Sequence, residues 1–503
     1  MIPSEVDLIS LLKKHWGYSE FRARQEAIMR EILSGRDVAV VMPTGGGKSL
    51  CYQLPAVAMG RTCVVVSPLI ALMQDQAAQL QQAGIPAAFL NSSMNAAEQR
   101  EIIRQASRNS FRLIYLSPER LVRADSLEWL KRVPLAFFAI DEAHCISEWG
   151  HEFRPEYRQL RALREWFPET PVAAFTASAT RAVRHDIIAQ LRLRDPAKFA
   201  MSFHRPNLRY VVHPCGPRDQ DRLLFSALEY YDEGNVILYA PTIRAVEETE
   251  ALLSRKGHPV VAYHGQMDNA RRQRNQEAWM AGEKRILVGT VAFGLGINKP
   301  DVRAVLHLSL PKSLEQYYQE AGRAGRDGLP ADCVLLWQRR DIGLLAHFIA
   351  QLQDHQEKQR AWQRYHAMRR FAESEECRHR QICLHFGETP KWERCNACDR
   401  CGAIPEWISG APAGKRSSRV AAKPAIDAPA HSEMRDALKQ WRRDLAKEIG
   451  TPPYVILHDS TLDAICRRAP RTLAQLCEVS GIGEKKAERF GEAILEIVAR
   501  CAN

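Results

Sequence analysis

Val38-Ala39-Val40-Val41-Met42-Pro43-Thr44-Gly45-Gly46-Gly47-Lys48-Ser49 decides the fold. The apolar, mostly β-branched opening reads as a buried strand, the three glycines as a tight turn, and Lys-Ser as the start of a helix. Glycines let backbone N–H groups converge on phosphate oxygens without Cβ clashes, and the helix N-terminus adds its positive end. In that reading Gly45, Gly46 and Gly47 form the cradle, Lys48 reaches the β- and γ-phosphates, and Ser49 holds Mg²⁺. The plain pattern G-x-x-x-x-G-K-[ST] fails at one position, because Met42 stands where its first glycine would be. A purely structural glycine turn is the competing reading. The strand before it and the Lys-Ser pair after it favour the phosphate site.

Outward from this loop, residues 36–340 alternate short apolar runs with longer helical patterns. DVAVVM, TCVVVSP, FRLIYLSP, LAFFAID and VAAFTAS form one set; VILYAPT, RILVGTV and AVLHLSL form a second. Strands alternating with helices imply parallel sheets covered on both faces. The fold class expected is α/β, with two parallel-sheet lobes divided near residues 200–208. Lobe one is expected over 1–205 and lobe two over 206–340. A helical, cysteine-bearing module follows over 341–402, then a linker rich in Ala, Pro, Gly and Ser over 403–430. The tail, 431–503, returns to helical periodicity.

Composition narrows the classes. No apolar run reaches the roughly 18–20 residues of a membrane span. The N-terminus lacks the basic and apolar regions of a secretory leader. Thirteen cysteines in such a chain read as thiols or metal ligands rather than disulfides. A formal charge of +11 favours a polyanionic partner, since Lys and Arg neutralise phosphates.

Two further segments complete a nucleotide site. The strand LAFFAI ends in Asp141-Glu142-Ala143-His144, where Asp141 is suited to anchor the Mg²⁺ shell and Glu142 to orient or deprotonate water. An isolated Asp-Glu pair is more often a solvated helix start, but here it follows a buried strand. In Gln316–Gly328, Arg323 and Arg326 lie three residues apart and are expected on one helical face, suited to clamping a γ-phosphate from lobe two. The bland alternative is a surface arginine pair. Together these residues predict ATP hydrolysis.

Five cysteines crowd between 377 and 401. Cys377-x₁₇-Cys395-x₂-Cys398-x₂-Cys401 supplies four thiolates for a tetrahedral, structural Zn²⁺. An Fe–S cluster is the competing occupant, and would absorb near about 400 nm. Cys383 falls outside the pattern and reads as a small buried hydrophobe.

As a set, these residues resemble superfamily 2 helicases, and within them the RecQ type. Lys48-Ser49, Asp141–His144, Ser67-Pro68-Leu69, Ser117–Arg120, Thr176–Thr180, Thr290–Asn298 and Gly322–Gly328 match that family's motor motifs in order and spacing. The resemblance covers residues 10–402 and resumes at 433. It implies that Trp16-Gly17-Tyr18, Arg22 and Gln25 read adenine, with Tyr18 stacking on the base and Arg22 and Gln25 making polar contacts. Trp16 stands where the family more often has Phe. Residues 145–157 resemble the aromatic-rich loop of RecQ proteins. There Trp149 and Phe153 can stack on unpaired bases and Arg154 can contact phosphate. Core packing is the alternative for both aromatics.

The resemblance further implies a DNA-stimulated ATPase using ATP, Mg²⁺ and Zn²⁺. It is expected to move 3′→5′ along single-stranded DNA and unwind forked duplexes in repair and recombination. The expected molecule is a monomer, cytoplasmic and nucleoid-associated if bacterial, with a single-strand-binding protein as a candidate partner. RecQ proteins usually carry a winged helix of about one hundred residues after the zinc module. Here there is no room for it, which admits a translocase or strand annealer that unwinds weakly. The tail resembles an HRDC module. Its Gly481-Ile482-Gly483-Glu484-Lys485-Lys486 turn reads either as a phosphate contact or as a plain helix–helix turn.

Overall fold

A computed structural model describes residues 6–91, 94–150, 152–216, 219–291, 293, 299–409, 429–449, 451 and 453–501. His151, Gly294–Asn298 and most of the 403–430 segment, singled out above, lie outside the described residues.

The first sheet contains β1 (Val38–Val41), β2 (Thr62–Val66), β3 (Ala87–Leu90), β4 (Leu113–Leu116), β5 (Leu135–Ile140), β6 (Val172–Thr176) and β7 (Ala197–Ala200). Its order is β3-β4-β2-β5-β6-β1-β7, and every pairing is parallel. The second contains β8 (Leu208–Pro214), β9 (Asn235–Tyr239), β10 (Val260–Tyr263), β11 (Ile286–Gly289), β12 (Val302–His307) and β13 (Ala331–Trp337). Its order is β10-β11-β9-β12-β13-β8, again parallel throughout. The expected α/β class with two parallel lobes is what the chain forms. The central strands read as unbroken apolar runs because helices bury both faces, as in β2, β6 and β9.

Four helices position the site: α1 (Leu8–Trp16), α2 (Gln25–Leu33), α3 (Lys48–Met59) and α4 (Ile70–Gln82). The carboxyl end of β1 feeds α3 through the glycine turn. The carboxyl end of β5 carries Asp141, and that of β6 leads into Thr176–Ser178. Ligand sites of open α/β sheets form at this edge.

After β13, helices Arg339–Ala350 and His355–Glu373 lead to Arg378–His385 and the cysteine knuckle. The knuckle adds an isolated bridge, Tyr210↔Cys398, to edge strand β8. Arg378 is fully buried, with Nε and Nη2 each 3.0 Å from an oxygen of Asp399. The tail forms a separate small core from Leu438, Ile456, Leu462, Phe490 and Ile494 among others.

Candidate nucleotide site and its neighbours

The loop Gly45–Gly47 bends because Gly45 and Gly47 take φ of +81° and +83°, the left-handed region in which Cβ is penalised. Gly47 caps α3, so the free N–H groups of its first turn face the cradle. Gln25, buried at the start of α2, braces this loop from outside. Its Nε2 lies 3.3 Å and 3.2 Å from the carbonyls of Gly46 and Gly47, and its Oε1 accepts from Arg22 N at 2.9 Å. Arg22 donates to the Gly45 carbonyl. Two of the expected adenine contacts are therefore engaged with the phosphate loop itself, while Tyr18 is exposed beside them.

Asp141 and Glu142 follow β5 at the same edge. Burial, and then the neighbouring Glu142, pushes the Asp141 carboxyl up to about 7, although Lys48 pulls the other way. A carboxylate in that position is short of positive charge, and with the Ser49 hydroxyl, which like Asp141 lies against Tyr52, it is a donor set that fits Mg²⁺. Glu142 has φ +46°, a conformation uncommon outside glycine and typical of residues held under strain at functional sites.

His144 is buried, with Nδ1 2.9 Å from Thr176 Oγ1 and 3.3 Å from Glu142. Its Nε2 faces Glu152 at 3.5 Å. Burial opposes the protonated ring, but the Cys145 sulfur first, and then hydrogen bonds to Glu142 and Glu152, hold its pKa well above the usual range. His144 thus connects the Asp141–Glu142 corner to the aromatic-rich loop. In that loop Trp149 is 57% exposed, far more than a core aromatic. Phe153 is half-buried under the Arg158 guanidinium at 5.5 Å. Arg154 donates to the Pro68 carbonyl at 3.1 Å, tying the loop to the start of α4. Glu148 pairs with Arg360 of the zinc-module helix at 2.9 Å.

The second lobe closes the cleft. The helix Leu314–Ala321 ends before the arginines, so Arg323 and Arg326 are not on one helical face as their spacing suggested. They ride instead on consecutive turns through Gly322 and Gly325, the latter at φ +54°. The physical reason is close approach: a Cβ on Gly322 would collide with the Thr44 hydroxyl. Thr44 donates to the Gly322 carbonyl at 3.0 Å. Arg326 is half-buried against the phosphate loop, its Cγ 3.5 Å from where a Gly45 Cβ would lie. Burial first, then Arg323 and Arg205, lowers the Arg326 guanidinium to about 9. Nε and Nη1 of Arg323 are buried with no hydrogen-bond partner among the described residues. The buried Arg323, beside the half-buried Arg326 that packs on the glycine loop, calls for a polyanion. Gln319 Nε2 adds a second tie between lobes, 3.0 Å from Ser178 Oγ.

The four cluster cysteines place their sulfurs within 4.8 Å of one another, with Cys395–Cys401 at 3.9 Å and Cys377–Cys398 at 4.0 Å. A tetrahedron with Zn–S bonds of about 2.3 Å has edges near 3.8 Å, so the donor set fits zinc. Cys383 is fully buried in the apolar core, apart from the other four.

The Gly481–Lys486 turn faces protein. The Ile482 backbone lies 2.6 Å from where a Gly17 Cβ would be, and a Cβ on Gly483 would strike the Lys14 carbonyl. Arg489 reaches Gln82 at 2.9 Å. The tail thus docks on the ends of α1 and α4 through the glycines that had suggested a phosphate contact.

Sequence reasoning gave no role to Thr44, Gln319, Glu152 or Arg205, all of which tie segments of this cleft. For Gln319 a signal existed, since it sits four residues before Arg323. Arg205 lies in the turn His204-Arg205-Pro206-Asn207, which read only as a boundary between lobes.

A glycine phosphate loop, an Asp-Glu-Ala-His box and arginines from a second parallel-sheet lobe define a helicase-type nucleotide motor. The DEAD/DEAH box helicase family model matches residues 22–186, and the helicase conserved C-terminal domain matches 219–328. RecQ zinc-binding matches 339–402 and HRDC 432–498, so only residues 403–431 separate them and no winged helix intervenes. The chain is 32% identical to the ATP-dependent DNA helicase RecQ of Haemophilus influenzae, over 97% of this chain and 95% of that one. It is 31% identical to the Bacillus subtilis protein of the same name, over 97% of each. Among solved structures, Saccharomyces cerevisiae Dbp5 bound to RNA and ADP BeF3 shares the fold, with a TM-score of 0.54 at 16% identity. It covers 69% of this chain and 92% of its own. The chain belongs to the RecQ family of helicases. It is an enzyme of the helicase and ATPase class. Among the described residues no helix is long and apolar enough to cross a membrane.

Proposed function

We propose that this protein is a DNA-stimulated ATPase that moves 3′→5′ along single-stranded DNA and unwinds tailed duplexes. The observation that carries this reading is the meeting of the Gly45–Gly47 loop with Arg326 of the other lobe, while Trp149 stands exposed on a loop joined through His144 to Glu142. Lys48 and the α3 N-terminus bind the nucleotide phosphates, and Tyr18 stacks on the base. Ser49 and Asp141 would hold Mg²⁺, which when bound would neutralise phosphate charge. Glu142 orients the attacking water, and Arg323 and Arg326 stabilise the charge that develops as the γ-phosphoryl group leaves. Both arginines come from the same chain, so one copy suffices for catalysis.

Single-stranded DNA stacks on Trp149 and Phe153. Movement of that loop reaches Glu142 through Glu152 and His144. This places hydrolysis under control of the nucleic acid. A weakly unwinding translocase or annealer is the second reading, and its support is the short 403–431 connection between the zinc and HRDC modules. Unwinding of duplexes with a 3′ or a 5′ single-stranded tail, with DNA and RNA versions of each, tests both. Unwinding that requires a 3′ DNA tail is expected. A 5′ requirement or an RNA preference contradicts the first reading, and ATPase without unwinding selects the second.

A further inference from the structure

The geometry assigns to Arg205 a role as a positioning residue that sets the spacing between the phosphate loop and the arginine loop. Arg205 sits in the turn between β7 and β8, where the chain passes from one sheet to the other. Its Nη1 donates to the Thr44 carbonyl in lobe one at 3.0 Å. Its Nη2 lies 3.3 Å and 2.9 Å from the carbonyls of Ala324 and Gly325 in lobe two. Nε is 3.3 Å from Asn207 Oδ1, and the Asn207 amide donates to the Gly325 and Leu329 carbonyls at 2.8 Å and 3.0 Å. A planar guanidinium with a fixed fork of donors is the side chain that can hold carbonyls of two lobes in one plane.

The backbone of Arg205 is itself braced. Its carbonyl accepts from Leu208 N at 3.0 Å and lies 3.1 Å from His379 Nε2. His379 Nδ1 is 3.1 Å from the sulfur of Cys395. The zinc module therefore stands directly behind the strap, and this gives the module a mechanical use in the motor. Arg205 holds loop carbonyls on both sides of the cleft, and those of Ala324 and Gly325 precede Arg326 by two and one residues. What it fixes is where Arg326 meets the γ-phosphate, a contact that matters most in the transition state. Nucleotide binding by lobe one does not need it.

This inference rests on the ATPase reading above. The test is a double-mutant cycle in the full-length protein, with Arg205→Ala, Arg326→Ala and both together, scored by DNA-stimulated ATPase. Affinities for a non-hydrolysable ATP analogue and for ADP with a metal fluoride are measured beside it. Arg205→Ala should lower kcat about 100-fold, the usual cost of a misplacement near 1 Å. Affinity for the ATP analogue should stay within about threefold, while metal-fluoride affinity falls with kcat. In the Arg326→Ala background the same change should cost about threefold or less, because the residues act as one unit. Guanidinium ion added to Arg205→Ala should restore part of kcat.

Equal losses in both backgrounds, or a kcat near that of the parent, overturn the assignment. If Arg205→Ala does not fold, as judged by zinc content and thermal melting, Arg205→Lys in the same cycle decides. Its single ammonium cannot span three carbonyls, so it should lose most of the kcat with the same non-additivity. Lys48→Ala separates the two claims. If it hydrolyses ATP like the parent, the ATPase reading fails. If it is inactive while both Arg205 variants behave like the parent, only the strap fails.

Discussion

Two glycine turns in this chain look alike on paper and do different things. Gly45-Gly46-Gly47-Lys48 opens α3, and Gly481-Ile482-Gly483 followed by Glu484-Lys485-Lys486 opens the helix Glu484–Cys501. Both place glycines and lysines at the N-terminus of a long helix, where N–H groups and the helix dipole favour anions. The first turn is faced by the half-buried Arg326 of another lobe, with the buried Arg323 beside it. The second is filled by the backbone of Lys14 and His15. A glycine turn becomes a phosphate site when what faces it is cationic and open. When the facing group is another backbone, the missing Cβ serves close packing instead.

The largest effects should come from the first turn. Lys48→Ala and Arg326→Ala should each lower DNA-stimulated ATPase by about 10³-fold or more, measured as steady-state phosphate release. Gly47→Ala should join them by losing nucleotide binding, since its φ of +83° and the adjacent Gln25 amide leave no place for a methyl group. A Gly47→Ala protein that binds ATP normally would break the comparison at its root.

Below these lies the zinc module that braces Arg205. Arg378→Ala removes a buried guanidinium that pairs with Asp399 and donates to the Phe371 carbonyl, leaving Asp399 its longer Arg400 contact, which should cost about 1–3 kcal/mol in denaturant unfolding of the module. Removing zinc with a chelator should expose the same region to protease and slow hydrolysis through loss of the His379 contact. Trp149→Ala should bring the ratio of DNA-stimulated to basal ATPase towards one, with DNA affinity weakened by about 1–3 kcal/mol per lost stack. An unchanged ratio would remove Trp149 as the sensor.

The smallest effect belongs to the second turn. Gly483→Val drives a side chain into the Lys14 carbonyl and should cost about 1–3 kcal/mol of overpacking. Limited proteolysis should then release the tail from α1 while hydrolysis persists. If Gly483→Val instead abolished phosphate release at saturating ATP, the two turns would be functionally equivalent and the contrast would fail.

Much of this was legible in the sequence, for reasons that differ by region. The parallel lobes announce themselves because their central strands are buried on both faces, so β1, β2, β5, β6 and β9 are uninterrupted apolar runs. Edge strands were harder to see. β7, Ala197–Ala200, alternates with Lys198 and is partly exposed, and β8 falls in the segment that looked like a boundary. Lys48, Ser49, Asp141 and Glu142 stood out because phosphate and Mg²⁺ chemistry restricts which residues can follow a strand. Four cysteines at zinc spacing were equally plain. Contacts between lobes were not, because Arg205 and Gln319 bind backbone or neutral side chains across more than one hundred residues of chain. No local spacing records such a pairing. Arg323 and Arg326 were identified by type and spacing, yet a helical period was the wrong ruler for two residues set by glycine turns.

In the proposed motor an aromatic loop controls hydrolysis in a cleft shared by two lobes. Steady-state ATPase of the parent, with and without saturating single-stranded DNA, tests it most directly. A rate that rises at least about tenfold with DNA, a lowering of the barrier by about 1.4 kcal/mol, is the predicted result. Hydrolysis at the same rate with or without DNA would contradict the account.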